Sequence, residues 1–366
     1  CMPDEEYPFY LKSAVILFGI ALLALILYTL QDIMVPLAFA MIFAILLNPL
    51  YNWFQKHKVP NILSILITLF LATIVLAAIL YFLSAQVSTF SETLPLLKEK
   101  FGTISTAFGS WTEEHLGITI QKQIELLNEA LNSSKAFVGS TLSTVVGTLS
   151  ILFLLPVYIF LFLFYKTLIL NFLFEVFDEK NSKQVSDILK ETKSAVQSYM
   201  IGLLIETLII ATLNSIALSL LGVKYAILLG VIGALLNLIP YIGGVIAIAL
   251  PVLIATVTSD GYHTQLGILI AYIIIQFVDN NIIIPRIVSS KVQINALISI
   301  ITVLLGSALW GVAGMFLSIP FIAILKIIFD RIPELKAWGK LLGDTVPTRH
   351  IGEIWNKRKT RKAAAK

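Results

Sequence analysis

The sequence predicts an all-α integral membrane protein with about eight membrane segments, each long enough to cross the hydrocarbon layer or re-enter it. Three observations lead there. Charged residues make up 13% of the 366-residue chain, against 58% hydrophobic. Long uncharged runs recur along its length, and two of them are interrupted midway by proline and glycine.

Each observation excludes an alternative. A soluble domain carries about 25% charged residues, and a chain of this size cannot absorb such a deficit in one core. Most of its outer surface must face an apolar medium, and the lipid bilayer is that medium. Uncharged stretches run from Ser13 to Gln31, Ile33 to Gln55, Val59 to Ser91, Ala136 to Tyr165, Tyr225 to Ser259 and Val292 to Leu325. A crossing helix needs roughly 20 mainly apolar residues, so a buried helix of a soluble protein explains one such run but not all of them. The runs are continuously apolar rather than alternating, which excludes a β-barrel.

The first run follows Lys12 but is too long for a signal peptide and lacks a small-residue cleavage site, so it reads as a retained transmembrane helix. Met2 reads as the natural start, with Cys1 an added residue ahead of it. One cysteine allows no intramolecular disulfide, and a metal cluster is not expected. The net charge of +4 is concentrated in a basic tail after Lys326. That tail reads as cytoplasmic by the positive-inside rule rather than as a nucleic-acid surface. The expected location is the bacterial inner membrane, with both termini cytoplasmic.

In order, residues 1–91 hold three helices, at about Ser13–Leu30, Ile33–Leu50 and Ile62–Leu83. The first two form a hairpin because only Gln31 and Asp32 separate their apolar runs. Lys56, His57 and Lys58 then mark a cytoplasmic loop. Residues 92–135 carry Glu92, Glu99, Glu113, Glu114, Glu125 and Glu129 against four lysines, which places this segment outside. Ile120, Ile124, Leu127 and Leu131 recur there at helical spacing, so it reads as amphipathic helices, either a gate or a structural cap. Residues 136–198 hold a fourth helix, to Tyr165, and a lysine-bearing helical linker. Residues 199–330 hold the transport core, and 331–366 the tail.

The core begins with a helix over Tyr199–Leu221. Tyr225–Ser259 exceeds one crossing, yet Pro240, Gly243 and Gly244 interrupt it. Proline removes a backbone donor and glycine loosens the helix, and the freed polar groups must find protein or water. Two half-length helices in a re-entrant hairpin are expected. A helix over Leu266–Ile284 should stop before Pro285. Val292–Leu325 repeats the pattern, with Gly306, Gly311, Gly314 and Pro320 as its break or hinge. The two regions form a degenerate repeat, Gly230-Val231-Ile232-Gly233 to Ile239-Pro240 against Gly311-Val312-Ala313-Gly314 to Ile319-Pro320. Paired interrupted segments point to a transporter's binding site.

Ionisable groups at membrane depth are costly and therefore functional candidates. Glu206 lies well inside its helix; the alternative is a structural carboxyl bonded to a neighbouring helix. Gln276, Asp279 and Asn280 share one helical face that Tyr272 extends by a turn. They read as a polar stripe for a cation, proton or polar solute, or else Asp279 lies at the cytoplasmic interface near Arg286. Asn237 either presents its amide at the hairpin tip or caps the broken helix. Asn214 reads as a packing polar residue, and Tyr241 and Trp310 as packing or interfacial aromatics. No phosphate loop, paired-histidine ligand set or catalytic constellation emerges. The sequence therefore reads as a non-enzyme, with no cofactor and no metal expected.

Leu238-Ile239-Pro240-Tyr241-Ile242-Gly243-Gly244, Gln276 through Asn281 with Pro285-Arg286, Gly311-Val312-Ala313-Gly314 and Ile319-Pro320 together resemble the autoinducer-2 exporter family of bacterial permeases. The resemblance covers most of the chain in its layout. It implies export of autoinducer-2 or a related small polar solute, with sodium/proton antiport as the alternative within the family, and assembly into homo-oligomers, with the pentamer as a candidate. Gly244 departs from the pattern where a second proline is common, and Asp279 stands where glutamate is frequent. The remaining alternative is a non-transporting scaffold, which would have no need of buried carboxyls or broken helices.

Overall fold

A computed structural model describes residues 8–91, 154–177, 182–239, 243–259, 261–288 and 294–344. The acidic segment 92–135, most of the tail, and Pro240 to Ile242 lie outside the described residues. Every regular element described is helical.

The elements are α1 (Phe9–Thr29), α2 (Gln31–Lys56) and α3 (Asn61–Ser91), then α4 (Leu154–Phe164) and α5 (Lys166–Val176), joined across a 60° bend. Next come α6 (Ser182–Leu220), α7 (Ala226–Asn237), α8 (Gly243–Thr258) and α9 (His263–Val278). A wider-turn π segment (Asp279–Val288) extends α9, and α10 (Ala296–Arg331) and the short α11 (Lys336–Leu342) are the last described elements. Five helices are long and apolar enough to span a bilayer, or six with the bent pair, among the described residues. The protein is an all-α integral membrane protein.

The expected linker and fifth helix are one element. The 39 residues of α6 extend about 58 Å at 1.5 Å per residue, nearly twice a bilayer's hydrocarbon core. Its lysine-bearing first turns must therefore project beyond the membrane.

Two described hairpins form the core. Gly233 of α7 faces Ala247 of α8, and Asn237 lies beside Gly244. Ala226 and Leu229 at the start of α7 share a core cluster with Ile254 and Ala255 near the end of α8. The two are thus an antiparallel hairpin. In α10 the helix is broken at Trp310 and Gly311, where Gly311 has φ 59° and ψ −138°, a region only glycine occupies readily. Residues 296–309 and 312–331 fold back on each other about this point. Gly306 abuts Gly314, and the Ser318 hydroxyl lies 2.6 Å from the Gly314 carbonyl and 3.0 Å from that of Thr302 across the hairpin.

The hairpins enter from opposite ends. The base of the first clusters with Leu218 and Val223 at the end of α6 and Ile268 of α9. The base of the second is held at the start of α6, where Arg331 pairs with Glu191 and lies 3.7 Å from Asp187. Asn295 caps α10 through the Ile298 N–H (2.9 Å) and donates to the Leu341 and Gly343 carbonyls that end α11.

Two features differ from the sequence expectation. The seventh helix does not stop before Pro285 but continues as the π segment to Val288. A widened turn relieves the clash between a proline ring and the carbonyl four residues earlier. Pro320 lies buried within α10, and the chain reverses at Trp310 and Gly311 instead.

Candidate functional site at the first hairpin's tip

Three elements converge where α7 gives way to α8: the middle of α6, the tip of the first hairpin, and the junction of α9 with its π segment. Glu206 lies 15 residues beyond Glu191, or about 22 Å along α6, in its apolar half. It is 6% exposed. Tyr199 lies two turns earlier on the same face of α6, and the π segment that Asp279 opens packs against α6 through Ile210 and Ile283.

Asp279 opens the π segment and is 1% exposed. A carboxyl so deeply buried must be hydrogen-bonded. Its Oδ2 accepts from Asn237 Nδ2 at 3.1 Å and, more weakly, from Gln276 Nε2 at 3.4 Å. Gln276 Nε2 also reaches Asn280 Oδ1 at 3.3 Å. The Asp279 Oδ1 atom is buried without a hydrogen-bond partner among the described residues.

The glycines have steric roles here. A Cβ on Gly243 would overlap the Leu236 carbonyl, and one on Gly244 would stand 3.2 Å from Gln276 Oε1 and 3.7 Å from Asn237 Oδ1. Their bare backbones let the second limb start beside the amides. Leu238 joins the cluster of Tyr199, Met200 and Leu203 with Leu317 of α10, so the tip lies against the second hairpin.

The structure thus brings together Glu206, Asn237, Gly243, Gly244, Gln276, Asp279 and Asn280. Pro240 lies outside the described residues. Gly306, Gly311, Gly314 and Pro320 belong to the second hairpin. Sequence reasoning did not single out Tyr199, although its seven-residue spacing from Glu206 places both on one face. It also left Trp310 as packing, whereas its Nε1–H donates to the Leu27 carbonyl at the end of α1 (3.0 Å).

Two opposed hairpins around buried carboxyls are transporter architecture, and residues 16–334 match the AI-2E family transporter profile. The chain belongs to that family. A protein of Haemophilus influenzae is 27% identical over 339 residues, covering 90% of this chain and 96% of that protein. The AI-2 transport protein TqsA of Escherichia coli is 25% identical over 318 residues, covering 86% and 90%. As an AI-2E family member this is a multi-pass membrane transporter, and Glu206 and Asp279 are buried within it.

Proposed function

We propose that this transporter exports a small polar solute of the autoinducer-2 kind, with Glu206 and Asp279 carrying a proton or monovalent cation that couples to its movement. The observation that carries this reading is a pair of buried carboxyls on different helices, Asp279 being hydrogen-bonded to Asn237 at the end of the first hairpin's first limb. A carboxyl in low dielectric is stable only if it is neutralised or paired, so exchanging its partner is the natural response to a change on either side of the membrane. The amides of Asn237, Gln276 and Asn280 offer neutral donors and acceptors for a polar solute beside the charge. The name of the Escherichia coli relative supports the solute class. The paired carboxyls by themselves also suit sodium/proton antiport, and that is the second reading.

The experiment is direct flux in proteoliposomes, loading autoinducer-2 in one set and imposing sodium or proton gradients in another. Autoinducer-2 efflux above that of empty liposomes, accelerated by a proton gradient, is the expected result. Sodium/proton exchange without solute movement would favour the second reading. No flux of either kind would reject both.

A further inference from the structure

An open groove of about 580 Å³ lies between α6 and α7, a volume in the range of small-molecule sites. Ser215 lies on its floor, nine residues beyond Glu206. That is two and a half turns, so the groove occupies the face of α6 opposite the carboxyl. The two helices meet at the floor, where a Cβ on Gly230 would overlap Ser215. Leu208, Ile216 and Leu220 form one wall, and Ile227 and Val231 form the other. Their spacings are multiples of four, which keeps each wall on one helical face and makes the groove follow the helix axis. Leu208 is 70% exposed and Leu220 84%, and Thr212 donates its hydroxyl to the Leu208 carbonyl at 2.8 Å. The groove is therefore open along its side and chiefly apolar.

Its length and its end define the occupant. Leu208 and Leu220 are about 18 Å apart along α6, against about 15 Å for one leaflet of the hydrocarbon core. The end between Leu220 and Ile227 is the base of the first hairpin, and the exposed Lys224 lies in the loop that joins them. Among the described residues Lys224 has no ion-pair partner. Tyr262, just ahead of α9, is also exposed at this end, where an aromatic suits the membrane–water interface. Lipid tails are as apolar as leucine, so the walls alone select no lipid over another. A lysine at the mouth does select, because it attracts a negatively charged headgroup.

We propose that the groove between α6 and α7 holds one acyl chain of an anionic phospholipid whose phosphate pairs with Lys224. The lipid belongs to the leaflet on the side of the hairpin's base. Its chain fills the seam between α6 and the hairpin's first limb, and so braces the hairpin from outside. The site is separate from the carboxyls and holds whichever solute or ion the protein carries.

Native mass spectrometry of the purified full-length protein counts bound lipid directly. Phosphatidylglycerol and phosphatidylcholine are titrated separately into the delipidated protein in detergent. Wild type should saturate at one tightly held phosphatidylglycerol per chain. Phosphatidylcholine should bind about fivefold more weakly, the effect of one lysine at an anionic surface. Lys224→Gln should abolish that preference. Ser219→Leu fills the groove beside its base and should weaken both lipids about fivefold or more. Both positions are exposed, so neither substitution disturbs the core. An unchanged preference in Lys224→Gln, or unchanged binding of both lipids in Ser219→Leu, would overturn the proposal. So would uptake that rises with lipid without saturating. A Ser219→Leu protein that loses subunits rather than lipid would overturn it too, and would make the groove a contact between copies of the chain.

Discussion

At the residue scale, burial without solvent decides what each polar group can do. Asp279 is held by two amides, and the donor from Asn237 is the shorter contact. Replacing Asn237 by leucine removes that donor and leaves the carboxyl with only the longer bond to Gln276. An unsatisfied buried polar group costs about 1–3 kcal/mol, more when charged. Asn237→Leu should therefore lower thermal stability in detergent, and the loss should shrink when Asp279→Asn is combined with it. Additive losses in the double variant would mean the two side chains are uncoupled. Glu206→Gln keeps shape and hydrogen-bonding capacity while removing the titratable group, so transport should continue with its pH dependence abolished. Asp279→Asn should do the same or weaken binding. Unchanged rates and pH profiles in both variants would make the carboxyls structural and leave uncoupled facilitated export. The sequence made these ionisable residues visible because each stands alone in an apolar run. It could not make the Asn237–Asp279 bond visible, since the two lie 42 positions apart and meet only through the hairpin.

At the scale of the element, backbone chemistry shaped the reversals, and the sequence announced them unequally. Proline and glycine marked the first hairpin because α7 and α8 end and begin at them. In the second, the eye is drawn to Pro320, yet that proline sits inside a continuous helical limb. Tolerance of proline there follows from the neighbouring helices that surround it. The turn itself falls to Gly311, whose φ of 59° is costly for any residue with a side chain. Gly311→Ala should destabilise the protein by about 1–3 kcal/mol through backbone strain alone. Gly306→Ala acts differently, since its Cβ would overlap the Ser318 hydroxyl and the Gly314 carbonyl. It should force the limbs apart and cost about 1–3 kcal/mol as overpacking. Thermal melts of both variants check these values. A Gly306→Ala protein as stable as wild type would mean that the limbs are not in close contact. The π segment illustrates a different limit. A proline in sequence predicts a stop, and only the packed environment reveals that a wider turn has absorbed it.

At the scale of the molecule, contacts place several cations at one end, while Lys224 lies at the base of the first hairpin. Lys166 Nζ donates to Asn48 Oδ1 at 2.9 Å near the end of α2 and lies within electrostatic reach of Lys193 on α6. Arg331 joins the start of α6 to the end of α10, and Asn295 ties the start of α10 to α11. Lys56, Lys166, Lys193, Arg331, Lys336 and Lys340 therefore belong to one face, the one the positive-inside rule assigns to the cytoplasm. The opposite end carries the base of the first hairpin, where Leu221 packs against Gly267. If α1 to α3 cross in alternation from a cytoplasmic start, residue 91 emerges on that opposite side, and the acidic segment 92–135 begins there. Glu113 lies within that segment. A version with Cys1→Ser and Glu113→Cys should react with a membrane-impermeant maleimide added to intact cells, whereas a companion with Cys1→Ser and Lys340→Cys should react only after permeabilisation. Both probes are needed, because a leaky membrane would label either site. Protection of Glu113→Cys in intact cells together with labelling of Lys340→Cys would invert the molecule. The base of the first hairpin would then face the cytoplasm.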